Sequence, residues 1–142
     1  MASVGTGGTF LGVAEALRKE NPSVRVVGVE PTDSSLIECL RSGKLHRLLE
    51  ALHVPRMKFL IETMLEKGLP DEIVTITDED ARKMAHRLCR EEGLFCGMSS
   101  GANVLAAIQL AKKLGKDSKV VTVLVDRRDR YYSEYPAEHY VV

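Results

Sequence analysis

The sequence predicts an α/β fold, a partial doubly wound parallel sheet with helices on both faces. The first reason is alternation, because short runs of β-branched residues alternate with longer segments of helical periodicity. The second is that these runs are almost continuously apolar, which is typical of strands buried on both faces. The third is that polar or glycine-rich loops follow three of them, where such sheets bind ligands. A chain of 142 residues favours a single α/β domain, residues 1–142.

The amino-terminal elements follow from apolar periodicity. Residues 1–4 predict a strand that is shorter than usual, so we expect either an edge-like strand or a natural chain that has been cut here. Residues 9–20 place four apolar side chains on one face of a helix, namely Phe10, Val13, Ala14 and Leu17, and an Asn-Pro pair ends that helix. Residues 24–29 are mostly β-branched and predict a buried strand.

The middle of the chain predicts three helices and a strand. Residues 33–42 predict a short capped helix, and residues 44–54 carry leucines at helical spacing. Pro55 suits the first turn of the third helix, which a glycine and a proline end. Residues 73–76 follow as a short predicted strand.

The carboxyl-terminal part predicts two helices and a last strand. Thr77 is a good N-cap, three acidic residues follow it at the positive end of the helix, and Gly93 ends that helix. Ser99 opens a second helix that is apolar nearly all round and reaches about Leu114. Residues 119–125 are almost entirely apolar and predict the last strand.

Composition excludes several classes of protein. Twenty Lys and Arg balance twenty Asp and Glu, so nothing favours nucleic acid or a membrane surface as a partner. No apolar run approaches the roughly 20 residues of a membrane span, and no signal-peptide pattern is present. The cysteines form no C-x-x-C pair and the histidines lack zinc-ligand spacing, so we expect no metal site, no structural disulfide and a cytoplasmic location.

The glycine-rich loop Gly5-Thr6-Gly7-Gly8-Thr9 is the first candidate site. Glycines permit positive φ and a close approach of the backbone to a ligand. The first N–H groups of the following helix lack intrahelical partners and carry partial positive charge, which suits a phosphate. A strand-to-helix turn also needs glycine for purely structural reasons, and the loop lacks both the lysine and the spacing of the common nucleotide patterns. The glycine-rich loop alone therefore does not identify a phosphate site, and a second observation is required for that assignment.

Ser99 and Ser100 supply the second candidate site, at the start of the apolar carboxyl-terminal helix. One interpretation is a helix cap followed by a packing glycine, Gly101. The other is that a hydroxyl in a dry pocket meets a polar partner, for which a neutral or weakly basic ring nitrogen qualifies.

Together these motifs resemble a family of enzymes. Four stretches carry the resemblance, in this order: Gly5 to Val13, Val26 to Pro31, Glu91 to Ala102, and Asp126 to Tyr131. They resemble the carboxyl-terminal half of cysteine synthase (O-acetylserine sulfhydrylase), and cystathionine β-synthase is similar over the same stretches. The serine/threonine dehydratases are more distant relatives among these fold-type II (tryptophan synthase β-like) pyridoxal-phosphate enzymes.

The resemblance implies a cofactor, pyridoxal 5′-phosphate, and a site for it. The loop from Gly5 to Thr9 would hold the phosphate, and Ser99 would hydrogen-bond the pyridine nitrogen. A hydroxyl there leaves that nitrogen largely unprotonated, which suits β-elimination and replacement. The full enzyme would bind a small amino-acid substrate, form an aminoacrylate from O-acetylserine or a similar compound, and add sulfide to give L-cysteine.

Two departures from the family pattern limit what this chain does alone. The Schiff-base lysine and the loop that grips the substrate carboxylate lie in the amino-terminal half of the family, so we assign no catalytic residue here and expect residues 1–142 alone to be inactive. Residues 45–59 replace a glycine-rich stretch near the substrate, which leaves substrate choice open.

Three alternatives remain open from the sequence. The parent enzyme is a serine/threonine dehydratase or a cystathionine β-synthase-like lyase, or the gene encodes a non-catalytic binding or scaffold protein that keeps the phosphate loop. The exposed edge of a truncated sheet favours pairing with another chain, so we expect a homo-oligomer, namely a homodimer.

Overall fold

The structure is a computed structural model that describes residues 1–32 and 55–131. The chain divides into two compact units, Ala2–Thr75 and Ile76–Val142, the latter together with Met1. The helices predicted over residues 33–42 and 44–54 lie outside the described residues, as does the tail after residue 131.

A parallel sheet with helices forms the first unit, in line with the predicted α/β class. Its elements are listed in chain order: β1 (Ala2–Ser3), α1 (Gly8–Glu20), β2 (Val27–Pro31), α2 (Pro55–Glu66) and β3 (Glu72–Ile76). The strand order is β1-β2-β3. Strands β1 and β2 pair in parallel with Ala2 opposite Gly28 and Ser3 opposite Val29. The predicted α/β class with a parallel sheet is confirmed.

Strand β2 begins later and ends later than the sequence predicts. Val24 N–H donates to the Asn21 carbonyl at 3.1 Å, so the turn after α1 reaches into the predicted strand. At the other end, Glu30 is only 1% exposed and belongs to the strand. The charge of Glu30 predicts the end of the strand, but Glu30 lies inside the sheet.

Helix α1 buries part of the predicted face, namely Phe10 and Ala14. Its buried residues are Phe10, Leu11 and Ala14, while Val13 and Leu17 are 46% and 45% exposed. Arg18, one turn after Ala14, shares the buried side and forms an ion pair with Asp71 at 2.7 Å. This ion pair joins residues that are 53 positions apart, so apolar periodicity does not predict it.

The second unit contains α3 (Asp78–Glu92), α4 (Met98–Leu114) and a 3-10 turn at Arg128–Tyr131. The predicted cap of α3 is confirmed, because Thr77 Oγ1 accepts the Asp80 N–H at 3.1 Å. The predicted end is confirmed as well, since Gly93 has a left-handed φ of 69° and its N–H donates to the Cys89 carbonyl. Local capping chemistry therefore sets both ends of this helix.

Helices α3 and α4 approach closely at Gly101. A Cβ atom at this position would overlap the Ala81 carbonyl oxygen and lie 2.9 Å from the Ala85 nitrogen and 3.0 Å from its Cβ. Only glycine leaves room for this crossing, which fixes where α4 begins. Of the two sequence interpretations of this stretch, the packing role of Gly101 is confirmed.

The strand predicted over residues 119–125 is wrong. Among the described residues, this segment forms no ladder with another strand. Side chains hold its backbone instead, and Val121 and Val125 are 70% and 45% exposed. Apolar composition predicts a strand buried on both faces, whereas in the described part of the chain the segment bonds to Met1, whose terminal amine donates to the Val121 carbonyl at 2.8 Å, and to side chains of α4.

Candidate functional site

The predicted phosphate loop lies at the start of α1, in the first unit. Gly7 is the N-cap residue and has the left-handed φ of 89° that glycine permits. Its carbonyl accepts the Leu11 N–H at 2.8 Å, which closes the first helical turn. Gly5, Thr6, Gly8 and Thr9 are exposed.

The backbone N–H groups at the start of α1 have no side-chain cap. The first turn of this helix contains no acidic residue. In contrast, α3 has Thr77 as a cap and three acidic residues in its first turn. Since the free N–H groups and the helix dipole favour negative charge, α1 keeps that attraction for an external anion while α3 satisfies it internally.

Space above the loop matches this chemistry. A Cβ built on Gly5 would meet nothing within 4 Å, and one built on Gly8 would find only Thr6 Oγ1 at 3.9 Å and Leu60 Cδ1 at 4.0 Å. The backbone of the loop is therefore accessible to a group from outside. The residues present fit an anionic group such as a phosphate.

Ser99 lies in the first turn of α4, in the second unit. The helix begins at Met98 with Gly97 as its N-cap, one residue before the predicted start, and no side chain caps it. The cap interpretation of Ser99 is therefore wrong. Ser99 is partly buried, and its Oγ donates to Asp126 Oδ1 at 3.4 Å, a long bond for a hydroxyl.

Two further polar residues near Ser99 bind the backbone of residues 123–125, a role that the sequence does not predict for either of them. Ser100 and Asn103 are both 0% exposed. Ser100 Oγ accepts the Val125 N–H at 2.9 Å, and Asn103 Nδ2 donates to the Val123 carbonyl at 2.9 Å. Only the polar character of Asn103 inside an otherwise apolar helix signalled such contacts in the sequence.

A cleft of about 410 Å³ opens beside Asp126. Its lining residues are Leu94, Phe95, Cys96, Leu124, Val125, Asp126, Arg127 and Arg130. Next to it, Arg128 is 8% exposed, its guanidinium lies 5.3 Å from the centroid of the Phe95 ring, and its Nε donates to the Cys96 carbonyl at 3.3 Å. These contacts fix the loop that follows Val125.

The Cys96 thiol is not activated. Burial raises its pKa, and the opposing effect of the Arg128 charge is smaller. Because the thiolate is the nucleophilic form, this cysteine is a packing residue rather than a covalent catalyst. Among the residues that the structure describes, no group of histidines, cysteines and carboxylates is arranged to hold a metal ion.

No helix within residues 1–32 and 55–131 has the length and apolar content needed to cross a membrane.

Comparison with known proteins gives a consistent picture. The chain is 40% identical over 135 residues to the cysteine synthase of Staphylococcus aureus and, over the same length, to the O-acetylserine dependent cystathionine beta-synthase of Bacillus subtilis. Each alignment covers 94% of this chain and 41% of the relative, so the chain spans less than half of their length. The structure of O-acetyl serine sulfhydrylase isoform 3 from Entamoeba histolytica matches with a TM-score of 0.71 and 30% identity, over 99% of this chain and 40% of that one.

A family model described as pyridoxal-phosphate dependent enzyme matches residues 1–126. This match agrees with the sequence motifs, with the parallel α/β fold and with the relatives that cover nearly all of the chain. Pyridoxal phosphate is the cofactor of that family. The chain therefore belongs to the family of pyridoxal-phosphate dependent enzymes.

Proposed function

We propose that this chain is the carboxyl-terminal part of a cysteine synthase-like enzyme, which replaces the β-substituent of O-acetylserine or a similar amino acid with sulfide to give L-cysteine. The similarity to cysteine synthase at 40% identity supports this assignment. The chain's share of the relative, 41%, supports its being one part of such an enzyme.

The observation that carries the proposal is the open, uncapped start of α1. In this proposal the loop Gly5–Thr9 holds the phosphate of the cofactor through its backbone N–H groups, with Thr6 and Thr9 as hydroxyl donors. The absence of an acidic residue from the first turn of α1 supports this role, because a carboxylate there would compete with the phosphate.

Ser99 is the proposed partner of the pyridine ring. When bound, pyridoxal phosphate supplies an electron sink for chemistry at the substrate. The residues of this chain bind and orient it: the loop anchors the phosphate and Ser99 Oγ orients the ring nitrogen. Asp126, in the segment that follows Val125, lines the cleft together with Phe95. We expect this segment near the edge of the ring.

We expect residues 1–142 alone not to turn over substrate. The resemblance assigns the Schiff-base lysine to the amino-terminal half of the family, so this chain contributes binding rather than the reacting amine. A second candidate is a cystathionine β-synthase-like lyase, which the 40% identity to the Bacillus subtilis relative favours. Product analysis of this chain combined with an amino-terminal half distinguishes cysteine from cystathionine, and ammonia release would indicate a dehydratase.

A titration with pyridoxal phosphate tests the cofactor site. We expect saturable binding, followed by cofactor fluorescence, and a loss of affinity of at least about tenfold in Gly8→Val, because the side chain fills the space in front of the N–H groups. A Cβ at Gly8 meets only ordinary contacts at 3.9 and 4.0 Å, so the variant is expected to fold.

Gly12→Val is the matched control for this titration. Gly12 lies one turn further along α1, and a Cβ there meets nothing within 4 Å. It carries the same substitution outside residues 5–9, so its affinity should equal that of the parent. If Gly8→Val bound pyridoxal phosphate as tightly as the parent chain, the assignment of the loop Gly5–Thr9 to the phosphate would be rejected. If the parent chain does not bind, the same titration is repeated after mixing with the amino-terminal half of the Staphylococcus aureus relative, and failure there rejects the proposal.

We further propose a small-molecule amino-acid substrate, a cytoplasmic location and a homodimer. Strand β1 lies at one edge of the described sheet, and an edge strand offers unpaired backbone groups to a second chain. Light scattering after size-exclusion chromatography measures the mass directly. A monomeric mass across the micromolar range would reject the dimer.

A further inference from the structure

The loop that follows Val125 contains a buried positive charge that no described carboxylate balances. Arg128 is 8% exposed, its Nε donates to the Cys96 carbonyl at 3.3 Å, and its Nη2 is buried without a hydrogen-bond partner among the described residues. A guanidinium stays charged in proteins, and an unpaired charge out of water costs free energy. The Phe95 ring, 5.3 Å from the guanidinium, offsets only part of that cost. Arg128 therefore favours an anion in its surroundings.

The cleft of about 410 Å³ borders this buried charge. Phe95 and Cys96, the two residues that the Arg128 side chain contacts, both line the cleft. The charge of Arg128 also acts on the Cys96 thiol, where it favours the negatively charged form and partly opposes the effect of burial on the thiol pKa. The positive field of Arg128 therefore reaches the wall of the cleft.

Two further arginines line the cleft themselves, and they differ in their partners. Arg127 Nε pairs with Asp129 Oδ1 at 3.1 Å. Arg130 is exposed, and no described side chain pairs with it. Its guanidinium offers five N–H donors in a planar fork that matches a carboxylate. Of the two, Arg130 is the one whose guanidinium is available to a ligand.

The charges around the cleft fit a ligand with one negative charge. Asp129 balances Arg127, so Arg128 and Arg130 face one further carboxylate in the wall, that of Asp126. One positive charge remains in excess, and a doubly charged phosphate would meet stronger repulsion from Asp126 than a carboxylate does.

The rest of the wall favours an apolar body. Its residues are Leu94, Phe95, Cys96, Leu124 and Val125. Small-molecule sites are typically clefts of about 300–1,000 Å³ with mostly apolar walls and a few polar groups that fix orientation. The size and the lining of this cleft match that description.

We propose that the cleft binds a small carboxylate that carries an apolar body. Arg130 pairs with the carboxylate, and Arg128 stabilises its charge from behind the wall. The apolar body lies against Phe95 and Leu124. This ligand is additional to the cofactor, so the inference goes beyond the proposed function and does not depend on it.

The test uses the full chain, residues 1–142, labelled with ¹⁵N for nuclear magnetic resonance. The probe is 3-phenylpropanoate, which joins a carboxylate to an apolar ring, and 3-phenylpropanamide is its uncharged counterpart. We expect saturable binding of the carboxylate that shifts the amides of Cys96 and Arg128, and binding of the amide that is at least about tenfold weaker. Equal affinities for the two compounds would overturn the inference, as would tighter binding of inorganic phosphate than of 3-phenylpropanoate.

Arg130→Gln is the main variant, and Arg127→Gln is its matched control. Both arginines line the cleft in one loop, and both variants lower the charge of that loop by one. The difference between them therefore measures the direct contact. Arg130→Gln changes an exposed side chain, so it should fold, and it should bind the probe at least about tenfold more weakly than the parent. Arg127→Gln should weaken binding by less than about threefold, because exposed charges are screened. Equal losses in the two variants would reject the role of Arg130.

Arg128→Met tests the buried charge. The variant removes a charge that has no described counter-charge, so we expect its melting temperature to stay close to that of the parent while its affinity for the probe falls. Unchanged affinity in the folded variant would contradict the role of Arg128. Loss of folding would show that Arg128 is needed for stability and would also reject that role.

The same titration distinguishes other places for the probe. Shifts at Gly7 and Gly8 in place of Cys96 would put the carboxylate at the start of α1 and overturn the inference. Displacement of the probe by pyridoxal phosphate would assign the cleft to the cofactor and have the same consequence. The probe is titrated without cofactor, so failure of this inference and failure of the proposed function, which the Gly8→Val titration tests, are distinguishable.

Discussion

Asp71 and Val26 exchange two hydrogen bonds. The Asp71 carboxylate accepts the Val26 N–H at 2.6 Å, and the Asp71 N–H donates to the Val26 carbonyl at 2.9 Å. Arg18 then holds the same carboxylate at 2.7 and 2.8 Å. One side chain thus ties α1 to the residue that precedes β2.

Acid should weaken the unit that contains Asp71. Partial burial raises the pKa of its carboxyl, but the Val26 N–H and the hydrogen bond and charge of Arg18 together hold that pKa below its usual value. A carboxyl whose folded-state pKa is lowered contributes stability above the unfolded pKa of about 4, and this stability is lost as the pH falls through the folded value. Urea unfolding of Asp71→Asn should show about 1 kcal/mol less stability at pH 7 and a smaller loss on acidification than the parent. If the free energy of unfolding changed equally with pH in the variant and the parent, the stabilising role of the Asp71 carboxylate would be contradicted.

Gly101→Ala should destabilise the packing of α3 on α4. The added Cβ meets the Ala81 carbonyl and the Ala85 backbone, which cannot move aside as a flexible side chain can. Overpacking of this kind costs about 1–3 kcal/mol, so thermal unfolding should begin at a lower temperature. Gly12→Ala is the control, because the space at Gly12 is open and alanine favours a helix by about 1 kcal/mol. A stabilising Gly101→Ala would show that the helices are not in contact there.

Thr77→Ala should cost about 1 kcal/mol by removing the cap of α3. Thr77 Oγ1 accepts the Asp80 N–H at 3.1 Å and donates to Asp80 Oδ2 at 2.8 Å, so both bonds are lost together. Thr77→Ser retains the hydroxyl and should restore most of the urea midpoint. Equal midpoints for the alanine variant and the parent would mean that the acidic first turn alone satisfies this helix end.

Cys96 should be alkylated more slowly than Cys89 at pH 8. Burial raises the pKa of the Cys96 thiol and also limits access, whereas Cys89 is partly exposed. Mass spectrometry of peptides after a short iodoacetamide pulse gives both rates in one sample. In urea the two cysteines should react alike, and a fast Cys96 in the folded chain would contradict its packing role.

The sequence predicts elements whose cause is local. The ends of α3 were found because Thr77 and Gly93 carry their own capping chemistry. The phosphate loop was placed at the start of α1 for the same reason, since its glycines directly precede the apolar pattern. The binding of a cofactor by this loop stays a prediction, as does the folding of residues 1–142 as a single domain.

Features with distant causes were missed or misjudged. Arg18, on α1, pairs with Asp71, 53 residues later. Val123 and Val125 bond to Asn103 and Ser100, 20 and 25 residues earlier. Apolar periodicity concerns residues that are close in sequence, so it does not predict contacts with partners that lie 20 or more positions away.

The way α4 holds residues 123–125 has a consequence for handling the protein. The side-chain bonds secure one edge of the segment, while Val121 and Val125 face outward at 70% and 45% exposure. An apolar, uncharged run with exposed β-branched side chains favours association between chains. Val121→Lys, at the most exposed of these positions, should raise the solubility limit and leave the bonds from Ser100 and Asn103 in place.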